Sequence, residues 1–133
     1  MSVSPTDLLS LSKSLLARAT TEADLRNVIG RAYYAAYHAG RTFHDSLSSP
    51  GNMPPRATGS HQELAHRLCH PTIPVSDPLF SISRQLGREL MWLHNIRVKA
   101  DYAITASISR DETIEAIDRA ELAIVSTLGS ASH

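Results

Sequence analysis

Cysteine is nearly absent from this chain: Cys69 stands alone, so no internal disulfide can brace the fold. Long apolar runs are missing too. No stretch approaches the roughly 18 consecutive apolar residues that mark a membrane span, and no membrane association is expected. The first residues, Met1 to Pro5, carry neither the basic patch nor the apolar run of a secretory signal. Together with the single thiol, this points to a reducing, cytoplasmic setting. An excess of one charge is lacking as well. Thirteen basic residues face thirteen acidic ones, so nothing in the net charge announces a phosphate-backbone binder, and a nucleic-acid role has to rest on a local site. Phosphate-cradling glycine loops, a Gly-x-Ser-x-Gly elbow and the carboxylate clusters of metal-dependent nucleases are all missing, which argues against a self-contained nucleotidyltransferase or kinase. Tryptophan occurs once. Trp92 falls beside the core face of a helix and reads as core or dimer packing rather than base stacking.

What is present is a helical pattern. At 133 residues and 42% hydrophobic, the chain has the size and composition of one domain with its own core. Ser4-Pro5-Thr6-Asp7 reads as a helix start, with Leu8, Leu11 and Leu15 on one face. After a pause at Ala19-Thr20-Thr21, Thr21 and Asp24 can open a second helix, in which Leu25, Ile29, Ala32, Ala36, Ala39, Phe43 and Leu47 keep helical spacing. Residues 48–59, rich in Pro, Gly and Ser, predict a loop. Ser60-His61-Gln62-Glu63 reads as a capping box for a short helix through Leu64, Leu68 and Cys69, closed by Pro71 and Pro74. Asp77-Pro78 starts a fourth helix with Leu79, Ile82, Leu86, Leu90, Leu93, Ile96 and Ala100 inward. Ser109 and Glu112 cap a fifth, marked by Ile114, Ile117, Ile124 and Leu128, before a polar tail over residues 129–133. Strict alternation appears nowhere. The expected fold is all-α, an up-and-down four-helix bundle with one additional short helix.

A second stripe runs along the second helix. Arg31, Tyr34, His38, Arg41 and Asp45 recur at three- and four-residue steps, while Ala32, Ala35, Ala36 and Ala39 permit close packing opposite. Such a stripe is either a solvated face with ion pairs, or an interface or cleft lining in which Arg and Tyr are favoured. On the short helix, His66, Cys69 and His70 resemble metal ligands only superficially. No third and fourth ligand are indicated, His70 abuts Pro71, and neither a metal nor another cofactor is expected.

Three segments occur in a telling order: Arg31-Ala-Tyr-Tyr-Ala-Ala-Tyr37, then Ser60-His61, then Arg97-Val-Lys-Ala-Asp-Tyr102. In this combination the chain resembles the HEPN family. The resemblance implies a bundle of four to five helices that forms a side-by-side homodimer, often paired with a small nucleotidyltransferase. It further implies either a metal-independent ribonuclease of a toxin-antitoxin or defence system, or a non-catalytic module that binds nucleotides or docks and regulates the nucleotidyltransferase. Nuclease-type members carry a histidine separated from the arginine of the late helix by four to six intervening residues. Arginine can stabilise charge on phosphate, and histidine can exchange the proton of the 2′-hydroxyl or of the leaving oxygen.

Arg97 matches by context, but Tyr102, Ala103 and Ile104 occupy the positions where the histidine belongs. Arg31 with His38, Arg56 with His61 and Arg88 with His94 reproduce the spacing elsewhere, and eleven arginines (13 basic residues less Lys13 and Lys99) with seven histidines make such coincidences ordinary. The preferred substitute cluster is His94, Arg97 and Asp101 on one helix edge, with Tyr102 adjoining and His38 or His61 reaching in from elsewhere. The competing reading is an i, i+4 ion pair between Arg97 and Asp101 that merely secures the helix end.

Overall fold

A computed structural model of the chain describes residues 3–54 and 59–130, the side chains of 129 and 130 excepted. Among the described residues there are five helices and no strand: α1 (Pro5–Arg18), α2 (Glu22–Asp45), α3 (Ser60–Cys69), α4 (Pro78–Tyr102) and α5 (Arg110–Ser130). Among the described residues no helix is long and apolar enough to cross a membrane.

Short-range chemistry sets most of the helix starts. Ser4 Oγ accepts from the Asp7 amide and Asp7 returns the bond to the Ser4 amide, both at 3.1 Å. Thr21 with Asp24 and Ser109 with Glu112 close equivalent boxes, and Asp77 Oδ1 accepts from the Leu79 amide ahead of Pro78. Each box satisfies donors that the first turn of a helix otherwise leaves orphaned.

The start of α3 departs from this pattern. Its cap is Gly59, at φ +119°, with no side-chain cap bond, so Ser60 lies inside the helix and the expected Ser60–Glu63 box does not form. Glu63 pairs instead with Arg67, at 3.3 Å. The left-handed backbone at residue 59 is what glycine adopts without a Cβ penalty, and it decides where the helix carrying His61 begins.

Packing is organised around α2, which touches all four other helices. Its buried face (Val28, Ile29, Ala32, Tyr33, Ala35, Ala36, Ala39 and Phe43) joins Leu64 and Leu68 of α3, Leu86, Leu90 and Leu93 of α4, and Ala116, Ile117, Ala120 and Ile124 of α5 in one core cluster. Two expected faces are rotated. In α1, Leu9 and Ser12 are buried and Leu11 is exposed, because the Ser12 hydroxyl donates to the Val28 carbonyl at 3.0 Å and so tolerates the interior. In α5, Thr113 and Ala116 sit inward while Ile114 and Leu128 face out, small side chains allowing close approach to α2. The helix also continues through Gly129 and Ser130, where a polar tail was expected.

The α3–α4 contact has its own steric basis. A Cβ at Gly87 would fall 2.6 Å from Cys69 Sγ and 2.7 Å from the Cys69 amide nitrogen. Only glycine lets the end of α3 rest this closely on α4. Residues 48–54 form the expected irregular connection, seated by the Gly51 amide donating to Nε2 of buried His44 and by Arg67 Nη1 donating to the Gly51 carbonyl. Arg56 lies outside the described residues.

Candidate active site

The end of α4 is where the site is built. Arg97 and Asp101, four residues apart, form an ion pair with Nε 2.9 Å from Oδ2. The Arg97 guanidinium also sits over two aromatic rings, 5.7 Å from the Tyr33 centroid and 5.9 Å from that of Tyr102. Asp101 and the rings orient the cation, and no hydrogen bond among the described residues engages its two Nη groups.

Across from α4, α2 contributes Tyr33 and α3 contributes His61. Tyr33 is 2% exposed, and its hydroxyl lies 2.7 Å from His61 Nδ1. Burial pushes the Tyr33 hydroxyl far above its ordinary range, with Arg97 opposing, so it stays a neutral O–H. A phenol can donate to a bare Nδ1 or accept from Nδ1–H, so this contact persists whichever ring nitrogen of His61 carries the proton. His61 is held below the usual imidazole value by burial first, then by the positive charge of Arg97, His94 and Arg41. His94 is lowered by burial and then by Arg97.

Two cavities meet at His61. The first, about 250 Å³, is lined by Arg31, Tyr33, Tyr34, His61, Arg97 and Asp101, together with Arg26, Asn27 and Gly30. The second, about 300 Å³, takes in His61, Gln62, Met91, His94 and Asn95 beside His66, Cys69 and His70. Arg26 serves the scaffold. Its guanidinium donates to the carbonyls of Lys99, Ala100, Ala103 and Ala106 and so satisfies the C-terminal end of α4, just behind Arg97 and Asp101.

The sequence-predicted residues are therefore divided. Arg97 and Asp101 face the first cavity with Arg31 and Tyr34, and Tyr102, 68% exposed, flanks the guanidinium. His94 opens onto the second cavity, its ring 6.0 Å from that of His61 and 5.9 Å from that of Tyr33. His38 lines neither. Its ring packs edge-on against Tyr34 and Tyr37, at 4.3 and 5.5 Å. Arg41 lines neither cavity; it donates to the Tyr37 hydroxyl at 3.0 Å, and the Tyr37 ring lies 4.6 Å from that of His61. Tyr33 escapes the sequence reading because it shares the core face with Ile29 and Ala36. The available signal was a hydroxyl on an apolar stripe, which needs a partner when buried.

His66 and His70 stack at 4.3 Å, and each Nδ1 contacts a backbone carbonyl, that of Asn52 and that of His66 respectively. Among the described residues no group of three or more His, Cys, Asp or Glu side chains is arranged to hold a metal ion. Comparisons with protein-family models, with curated proteins and with solved structures find no match for this chain. The chemistry has to be read from the cleft.

The cleft combines cations with an imidazole held below its ordinary pKa. Arg97 and Arg31 outweigh Asp101, which favours an anion. At neutral pH His61 is mostly unprotonated and able to take up a proton.

Proposed function

We propose that this chain is a HEPN-type up-and-down helical bundle that acts on RNA as a homodimer and cleaves it without a metal, within a toxin-antitoxin or defence-type pair with a nucleotidyltransferase. The observation that carries the reading is His61 and Arg97 lining one cavity from different helices. His61 thereby supplies the histidine absent after Arg97. In this reading a phosphodiester lies against Arg97 and Arg31. The 2′-hydroxyl passes its proton to His61 and its oxygen bonds to phosphorus. The bond to the 5′-oxygen breaks, and the proton returns from His61 to that departing oxygen. Arg97 stabilises the extra negative charge on the phosphoryl oxygens, and the Tyr33 hydroxyl holds the ring of His61 throughout. Exposed Tyr34, which lines the cavity, and exposed Tyr102, whose ring flanks Arg97, offer the side-by-side partner an aromatic surface.

One observation favours a second reading. Asp101 already neutralises part of the Arg97 charge, which suits a non-catalytic module that binds nucleotides or docks a nucleotidyltransferase. Labelled single-stranded RNA incubated with protein in excess chelator separates the two. Cleavage by wild type that is lost in folded Arg97→Ala and His61→Ala variants supports the nuclease, and RNA left intact by wild type supports the module.

A further inference from the structure

We infer that the second cavity is a nucleobase subsite, which takes the base of a nucleotide whose phosphate rests on Arg97. The inference builds on the phosphate-binding reading of the first cavity and adds the part of the substrate that the first cavity leaves unassigned.

Continuity is the first support. His61 lines both cavities, so a ligand bound to Arg97 on one side of the imidazole reaches the second cavity by passing over its edge. The composition of the walls is the second. Flat rings border the space: His61 and His94 lie nearly parallel, 26° apart with centroids at 6.0 Å, and the His66–His70 stack stands beside them. Histidine rings are among the platforms on which unstacked RNA bases are held, and stacking tolerates any base because each has a π-face. Met91 adds a deformable apolar contact, with its sulfur 3.8 Å from Cys69 Sγ. Polar groups are the third. Gln62 and Asn95 line the cavity and are exposed, and each amide offers a donor and an acceptor of the sort that meets a base edge. At about 300 Å³ the space falls at the small end of ligand pockets, which suits one base better than a peptide or a whole dinucleotide.

Three contacts hold these walls in place. Asn52 holds His66 through its carbonyl, Gly87 fixes the approach of α3 to α4, and Tyr33 fixes His61.

Binding of the four nucleoside 5′-monophosphates and of inorganic phosphate to the full-length protein tests this by calorimetry, alongside methyl NMR of the protein labelled at methionine. The expected result is that at least one nucleotide binds tenfold or more tightly than phosphate. The Gln62→Ala/Asn95→Ala double variant should erase that advantage without weakening phosphate, and Arg97→Ala should weaken both ligands. Nucleotide, but not phosphate, should move the Met91 methyl signal through the ring current of the base, a readout that needs no variant. Equal affinity for nucleotide and phosphate, with an unmoved Met91 methyl and both ligands lost in Arg97→Ala, overturns the base subsite and leaves the phosphate cleft standing. Failure of wild type to bind either ligand overturns both.

Discussion

The Tyr33 hydroxyl and the His61 imidazole, on two helices and 28 residues apart in the chain, meet at 2.7 Å. One is 2% exposed, at the wall of the first cavity, and the other opens to both cavities. The contact lets a buried neutral group steer an accessible ring, and it makes Tyr33 a positioning residue.

Tyr33→Phe keeps the ring that supports Arg97 and removes only the hydroxyl. RNA cleavage by this variant should fall about tenfold to a hundredfold, as when a supporting hydrogen bond to a functional imidazole is lost. The drop should appear in kcat with KM little changed. His61→Ala should cost more, about 10²- to 10⁴-fold, as expected for removal of an acid-base group. Steady-state kinetics of the two variants checks the order. A Tyr33→Phe enzyme as fast as wild type would remove Tyr33 from the mechanism.

Acidity should weaken the fold in a defined window. His61 and His94 are both held below the unfolded imidazole value of about 6.5, by burial first and by Arg97 next. The unfolded chain therefore binds more protons in the interval between the lowered values and 6.5, and stability rises with pH across it. The contribution is intact above about 6.5 and is lost as pH falls through the lowered folded values. The acid limb of the cleavage profile should likewise lie below pH 6.5, and Arg97→Ala should move the His94 titration upward by removing a positive neighbour. Histidine NMR titrations measure this directly. A downward shift in the variant contradicts it.

Arg26→Ala removes the donor shared by the carbonyls of Lys99, Ala100, Ala103 and Ala106. Lys99 and Ala103 keep the amides of Ala103 and Ala106, so the loss falls on the carbonyls of Ala100 and Ala106. Unfolding in urea should show a loss of about 1–3 kcal/mol, the cost of leaving partly buried acceptors unpaired. Arg26→Lys should recover only part of it, since an ammonium lacks the planar fork that spans several carbonyls.

Ser60→Ala should be close to silent, within about 0.5 kcal/mol, because Gly59 and not Ser60 caps α3. Gly59→Ala should cost more than Ser60→Ala, since residue 59 sits at φ +119°. Denaturant midpoints of the two variants decide the matter. Equal effects would place the cap at Ser60.

Read locally, the amino-acid order determines a great deal here. Ser4, Thr21 and Ser109 choose their own acidic partners three residues on, Pro71 follows the end of α3, and the spacing of Leu86, Leu90 and Leu93 turns one face of α4 inward. The Arg97–Asp101 ion pair belongs to the same class, since i, i+4 neighbours meet on any helix. These features need only the geometry of a single turn. Tertiary structure decided the rest. Periodicity alone left Leu11 and Ile114 as core candidates, and packing turned both outward because Ser12 and Thr113 fit closer contacts. The cleft itself depends on α3 lying on α4 at Gly87, a steric match between residues distant in the chain, and that match carries His61 to Tyr33 and into one cavity with Arg97. Caps and helix faces arise from interactions within a few residues, whereas the meeting of three helices at one imidazole is set by which side chains leave room for one another.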